Sequence, residues 1–155
     1  MGQTRPKIGD VIEIPTSRGL AYAQYTHYVP RWGALLRILP GIFDARPDDW
    51  ETFVQQDERF YAFFPLGAAL SRDIVSVVAK VEVPNGKRTF PRLRMRGLVD
   101  PATRRATSWR IWDGKAERLV TSLTDEERSL SVAAVLNDAM LTKKIEEGYK
   151  PEDEL

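Results

Sequence analysis

His27 is the chain's one histidine, and there is no cysteine. A histidine near the end of a strand can serve as a general base. No recognisable nucleophile accompanies it, and no second histidine exists to share a metal, so it reads as a structural or surface residue. Five carboxylates follow one another closely: Asp48, Asp49, Glu51, Asp57 and Glu58. Two of them across a cleft would suit a glycosidase, and a few would hold magnesium for a hydrolase. The competing reading is acids at a helix start, where negative charge meets the positive end of the helix dipole. The phosphate-cradling G-x-x-x-x-G-K-[ST] and G-x-G-x-x-G loops do not occur, nor do G-x-S-x-G or H-E-x-x-H. That weighs against NTPases, dinucleotide dehydrogenases, α/β-hydrolases and zincins. Without cysteine there are no disulfides and no zinc–thiolate or iron–sulfur sites. No cofactor and no metal are expected.

The uneven placement of charge says more. The 155 residues carry a net charge of +1, yet residues 86–118 hold 10 basic and 3 acidic side chains, a net of +7. Residues 1–85 have a net charge of −1 and residues 119–155 one of −5. In "RLRMR" a strand's period of two puts Arg92, Arg94 and Arg96 on one face, with Leu93 and Met95 on the other. Such a comb of planar guanidinium groups suits carboxylates or phosphates. Arg88, Trp109, Arg110 and Trp112 complete the candidate binding set, Arg110 and Trp112 sharing a sheet face. Basic rows beside aromatics can hold single-stranded nucleic acid. They can equally meet an acidic protein partner, or fold back on the acidic C-terminal helix of the same chain. The near-zero net charge offers little long-range steering to a polyanion.

The elements that position these residues are legible as short strands. Val11, Ile12 and Ile14 form a strand ending at Pro15, and "TSRG" supplies turn chemistry. Leu20–Thr26 alternates small and aromatic residues as a second strand. Ala34–Leu39, Phe60–Leu66, Ile74–Val83, Arg92–Arg96, Ser108–Trp112 and Ala116–Ser122 follow as strands. Asp100-Pro101 and Asp113-Gly114 mark hairpin turns. Pro47 suits a first helical position, and Trp50, Phe53 and Val54 share one face, which predicts a helix over 47–56. Thr124 to Glu127 is a capping box. Val132, Val135, Leu136, Ala139 and Met140 lie at helical spacing, which predicts a helix over 132–147 stopped by Gly148. Residues 1–6 and 149–155 are expected to fray.

One domain of β-rich α+β class follows. The expected form is a strongly bent antiparallel sheet or an SH3-like small barrel, with an inserted helix and a C-terminal helix. The alternative is a flatter α+β sheet covered by helices. "MGQTRPKIGD" has no apolar stretch of the kind a secretory signal needs. The longest apolar run, Phe60–Leu70, contains Pro65 and is too short to span a bilayer. A cytoplasmic protein with no membrane partner is expected.

The stretch "IGDVIEIPTSRGLAYAQYTHY" resembles the start of bacterial immunity protein 26 and related small β-rich proteins. Gly9, Asp10, Val11, Ile14, Pro15, Gly19, Tyr22 and Ala23 carry the resemblance, which spans about 20 of the 155 residues. It implies a non-enzymatic protein that neutralises a toxin domain by binding it. The alternatives are a nucleic-acid-binding module using the Arg/Trp face and a carboxylate-dependent hydrolase.

Overall fold

Thr16 and Gly19 close the first hairpin, and the glycine is there because nothing larger fits. Its φ is +135°, and a Cβ would lie 2.7 Å from the Phe43 carbonyl oxygen. Leu20 and Phe43 exchange backbone hydrogen bonds of 2.8 Å across that contact. The computed structural model describes residues 5–154. Its first five strands are β1 (Asp10–Thr16), β2 (Gly19–Val29), β3 (Gly33–Ile38), β4 (Phe60–Phe64) and β5 (Ser76–Lys80). They form an antiparallel sheet in the order β4-β3-β2-β1-β5. A second antiparallel sheet contains β6 (Leu93–Arg96), β7 (Trp109–Trp112) and β8 (Glu117–Val120) in sequence order.

The β-rich α+β class is therefore what the chain adopts. The larger sheet is not a closed barrel, because β4 and β5 stand at its two ends rather than pairing with each other.

Both faces of the larger sheet are buried. On one, Ile12, Ile14, Ala23, Leu36 and Ile38 pack with helices α2 (Leu66–Ser71) and α4 (Asp138–Glu147) through Leu70 and Leu141. On the other, Val11, Tyr22 and Leu39 pack with Phe53 and Val54, at and beside the short helix α1 (Trp50–Phe53). Two buried faces explain why β4 is apolar at every position. Phe60, Ala62 and Phe64 enter the first core, while Tyr61 and Phe63 enter a third that joins the sheets through Leu35, Leu93 and Trp112.

Two helices are shorter than their spacing predicts. The helix expected over 47–56 begins only at Trp50, because Asp49 is its N-cap and accepts from the Thr52 N–H at 3.1 Å. The helix expected over 132–147 begins at Asp138, capped by Asn137. Residues 131–136 are extended instead. The Arg94 N–H donates to the Ser131 carbonyl and the Ala133 N–H to that of Arg94. The Phe63 N–H donates to the Ala134 carbonyl and the Leu136 N–H to that of Phe63. One segment thus covers an edge of β4 and an edge of β6, where ladder groups would otherwise be open. Gly148 does end α4, with a left-handed φ of 70°.

The tail is not frayed as far as it is described. Pro151 is buried, and its carbonyl accepts from Arg94 Nη2 at 2.6 Å. The expectation for residues 1–4 and 155 lies outside the described residues.

Glu13 is a buried acid on β1. It accepts from Arg46 Nε at 2.7 Å and from the Tyr22 hydroxyl at 3.0 Å. The hydrogen bond from Arg46 holds its pKa below the ordinary 4.5 against the opposing effect of burial, and Tyr22 helps. A carboxylate depressed in the fold stabilises above its unfolded pKa and loses that contribution as pH falls through its folded value. Glu13→Gln is therefore less stable than wild type at neutral pH. The difference in Tm shrinks below about pH 4.5, which thermal melts across pH will test.

Candidate functional site

The arginine comb exists, and only its middle member, Arg94, is buried. Arg92, Arg94 and Arg96 share one face of the smaller sheet with Trp109 and Ile111, as the pairings Arg94 with Ile111 and Arg96 with Trp109 require. That face is covered by helix α3 (Asp125–Arg128) and by the C-terminal tail. Arg94 has no exposed surface. Its Nε donates to the Leu130 carbonyl at 3.0 Å and its Nη2 to the carbonyls of Pro151 and Glu154 at 2.6 and 2.7 Å. Its guanidinium lies 4.3 Å from the centre of the Trp109 ring. Arg92 pairs with Glu126. Arg96 pairs with Glu154 at 2.8 Å. The compensating acids come from α3 and the tail, not from α4 as the charge blocks alone imply.

The other residues of the set are dispersed. Arg88 Nε donates to the Val83 carbonyl at 2.8 Å, and Arg110, half-exposed on the central strand β7, lies 4.0 Å from Glu117. Trp109 and Trp112 are buried and point to opposite faces of β7. Trp112 packs with Trp32, Phe63 and Phe90.

Burial alone would raise the Glu154 carboxyl. Hydrogen bonds from Tyr149 and Arg96, with the Lys144 charge, outweigh it and hold the group low. In α3 the capping box is complete: Thr124 Oγ1 accepts from the Glu127 N–H, and Glu127 accepts from the Thr124 N–H and from Arg118 at 2.6 Å. Thr124→Ala costs about 1 kcal/mol in urea unfolding, the usual value of an N-cap.

The residues considered for catalysis are also engaged by the fold. His27 Nε2 lies 2.8 Å from the Arg88 carbonyl, which makes that nitrogen the donor and leaves Nδ1 to accept from Thr26. Its ring meets Phe90 edge-on. Asp49 caps α1, while Asp57 and Glu58 share Lys87 at 3.2 Å each. Asp48 and Glu51 stand exposed beside the same helix.

A different feature is open, and its residues were not singled out from the sequence. A groove of about 660 Å³ lies between the N-terminal residues 5–8, the ends of β2 and β3, and the start of α2. That volume is within the usual range of ligand clefts. Ile8 and Tyr28 stand 47% and 63% exposed on it, with Tyr25 and Phe64 buried behind. Tyr25 and Tyr28 are three residues apart, which in a regular strand puts them on opposite faces. A bulge at Thr26 corrects this: Tyr25 pairs with Leu36 and Tyr28 with Ala34, two residues on the same face of β3. Strand spacing cannot reveal such a bulge. The one sequence signal is the row of tyrosines itself, ending at the "VPRWG" turn.

Among the described residues, no helix is long and apolar enough to cross a membrane. Compared with known proteins, the chain matches no family model, no curated protein and no solved structure.

Proposed function

We propose that the protein acts by binding another protein, without turnover, as an immunity-type inhibitor that neutralises a toxin domain. The observation that carries this reading is the open groove with Ile8 and Tyr28 on its wall. Exposed tyrosine and aliphatic surface gathered in a concavity is the composition of a binding hot spot. The stretch that resembles immunity proteins contributes Ile8, Tyr25 and Tyr28 to this groove, although the eight residues that carry the resemblance lie outside it.

The nucleic-acid reading loses its main support, since Trp109 and Trp112 are buried and Arg94 is spent on carbonyls. The hydrolase reading weakens likewise, because Asp49, Asp57 and Glu58 are engaged within the fold. The test is affinity purification of the tagged chain from its source cell, then calorimetry on the purified pair. A one-to-one complex that Tyr28→Ala weakens at least about tenfold is expected, the loss of one hot-spot anchor. A chain that retains no protein, or one whose complex ignores Tyr28, would end the proposal.

A further inference from the structure

We infer that the groove receives an acidic segment of the partner protein carrying a large apolar side chain. This rests on the protein-binding reading above and adds the chemistry of what is bound.

The first argument is charge. Arg5 and Lys7 line the groove, and no carboxylate does. Among the described residues neither cation makes an ion pair. Elsewhere, Arg46 is held by Glu13 of the larger sheet. The smaller sheet likewise neutralises Arg92, Arg96 and Arg118 with carboxylates. Two cations over an apolar wall that holds no carboxylate of its own form a complement for incoming carboxylates.

The second argument is shape. Gly33, Ala34, Gly67 and Ala68 line the groove, so small residues leave its volume empty. A Cβ built on Gly67 meets nothing within 4 Å. Tyr25, Phe64 and Leu66 form the buried backing, with no side-chain hydrogen bond reaching from them into the space. Such a wall desolvates an aromatic or aliphatic anchor, while the cations at the rim hold the acids beside it.

Gly67 gives a clean test, because it sits exposed in α2 with an ordinary φ and open space around it. Gly67→Trp fills the groove and leaves the fold, with a thermal melt as the check. The probe is a random peptide library displayed on phage, selected on immobilised wild-type protein. Clones also held by Gly67→Trp are discarded, and the survivors are measured against the double variant Arg5→Glu, Lys7→Glu. The expected survivors combine Asp or Glu with Phe, Leu or Trp and bind the double variant at least about tenfold more weakly. Survivors that are neutral or basic would overturn the acidic chemistry and leave the binding reading standing. A selection in which no clone depends on Gly67 would overturn both. A wild-type dimer that Gly67→Trp dissociates would give the groove to a second copy of the chain, and the inference would fall.

Discussion

Arg94→Met lowers the unfolding free energy by about 3 kcal/mol, since buried carbonyls left without a donor cost about 1–3 kcal/mol each. The reason is what Arg94 is bonded to. It meets no carboxylate directly; Nε donates to the carbonyl of Leu130 and Nη2 to those of Pro151 and Glu154, with that of Arg128 at 3.3 Å, while Nη1 is buried without a partner among the described residues. Those carbonyls follow α3 and flank a 3-10 turn at Pro151–Asp153, and short helix ends leave such groups without partners. Removing the guanidinium leaves several acceptors to find water where the fold admits little. Arg94→Lys restores charge but not the fork, so it recovers only a minor part of the loss. Urea unfolding measures the energy. Hydrogen exchange locates it: amides of residues 152–154 lose protection first, since beyond Tyr149, which packs on Phe60, the tail is held chiefly by this side chain and by Glu154. A variant that stays as stable as wild type but loses a ligand would return Arg94 to the role its sequence position first proposed.

The same device recurs at the other short helix. Arg37, fully buried on β3, donates to the carbonyls of Val54 and Gln56 at 2.6 and 2.7 Å and to Gln24 at 3.0 Å. Two four-residue helices, α1 and α3, thus have the carbonyls that follow them held by buried strand arginines, Arg37 from β3 and Arg94 from β6. In sequence neither arginine announces this. Nothing in "ALLRIL" marks Arg37, and in "RLRMR" Arg94 reads as one tooth of a comb that could meet a partner or the chain's own acids. The period of two correctly places Arg92, Arg94 and Arg96 on one face. What covers the face is a tertiary fact, decided by where α3 and the tail return.

Other differences have the same origin. Val132, Val135 and Leu136 have helical spacing, yet the open edges of β4 and β6 claim their backbone groups first. A pattern of side chains cannot report a competing demand on the main chain. Thr26 shows the converse: one extra residue in β2 turns Tyr28 to the same side as Tyr25 and so creates one wall of the groove. The features that were legible are local ones, the capping box at Thr124, the stop at Gly148 and the first hairpin at Gly19. Each depends on a few neighbours along the chain.

Trp112 carries the second large effect. It sits where the two sheets meet, with ring centres 5.4 Å from Trp32, 5.3 Å from Phe90 and 6.2 Å from Phe63, and it pairs across the ladder with Leu93. Trp112→Ala removes the middle of that cluster and costs about 3–5 kcal/mol, as aromatic-to-alanine changes in cores do. Of the neighbouring rings only Phe63 lies on a strand; Trp32 and Phe90 stand in connecting segments that can yield toward the space, which favours the lower part of that range. Arg110 shares its face of β7 but its side chain is half-exposed, 4.0 Å from a half-exposed Glu117. Arg110→Ala therefore changes stability by no more than about 0.5 kcal/mol. The pair of variants separates packing from contact on a single face of one strand. In urea unfolding, Trp112→Ala shifts the midpoint far below that of wild type while Arg110→Ala leaves it in place. If both variants unfolded like wild type, the third core would not be what joins the sheets, and the aromatic residues of β7 would again be candidates for binding.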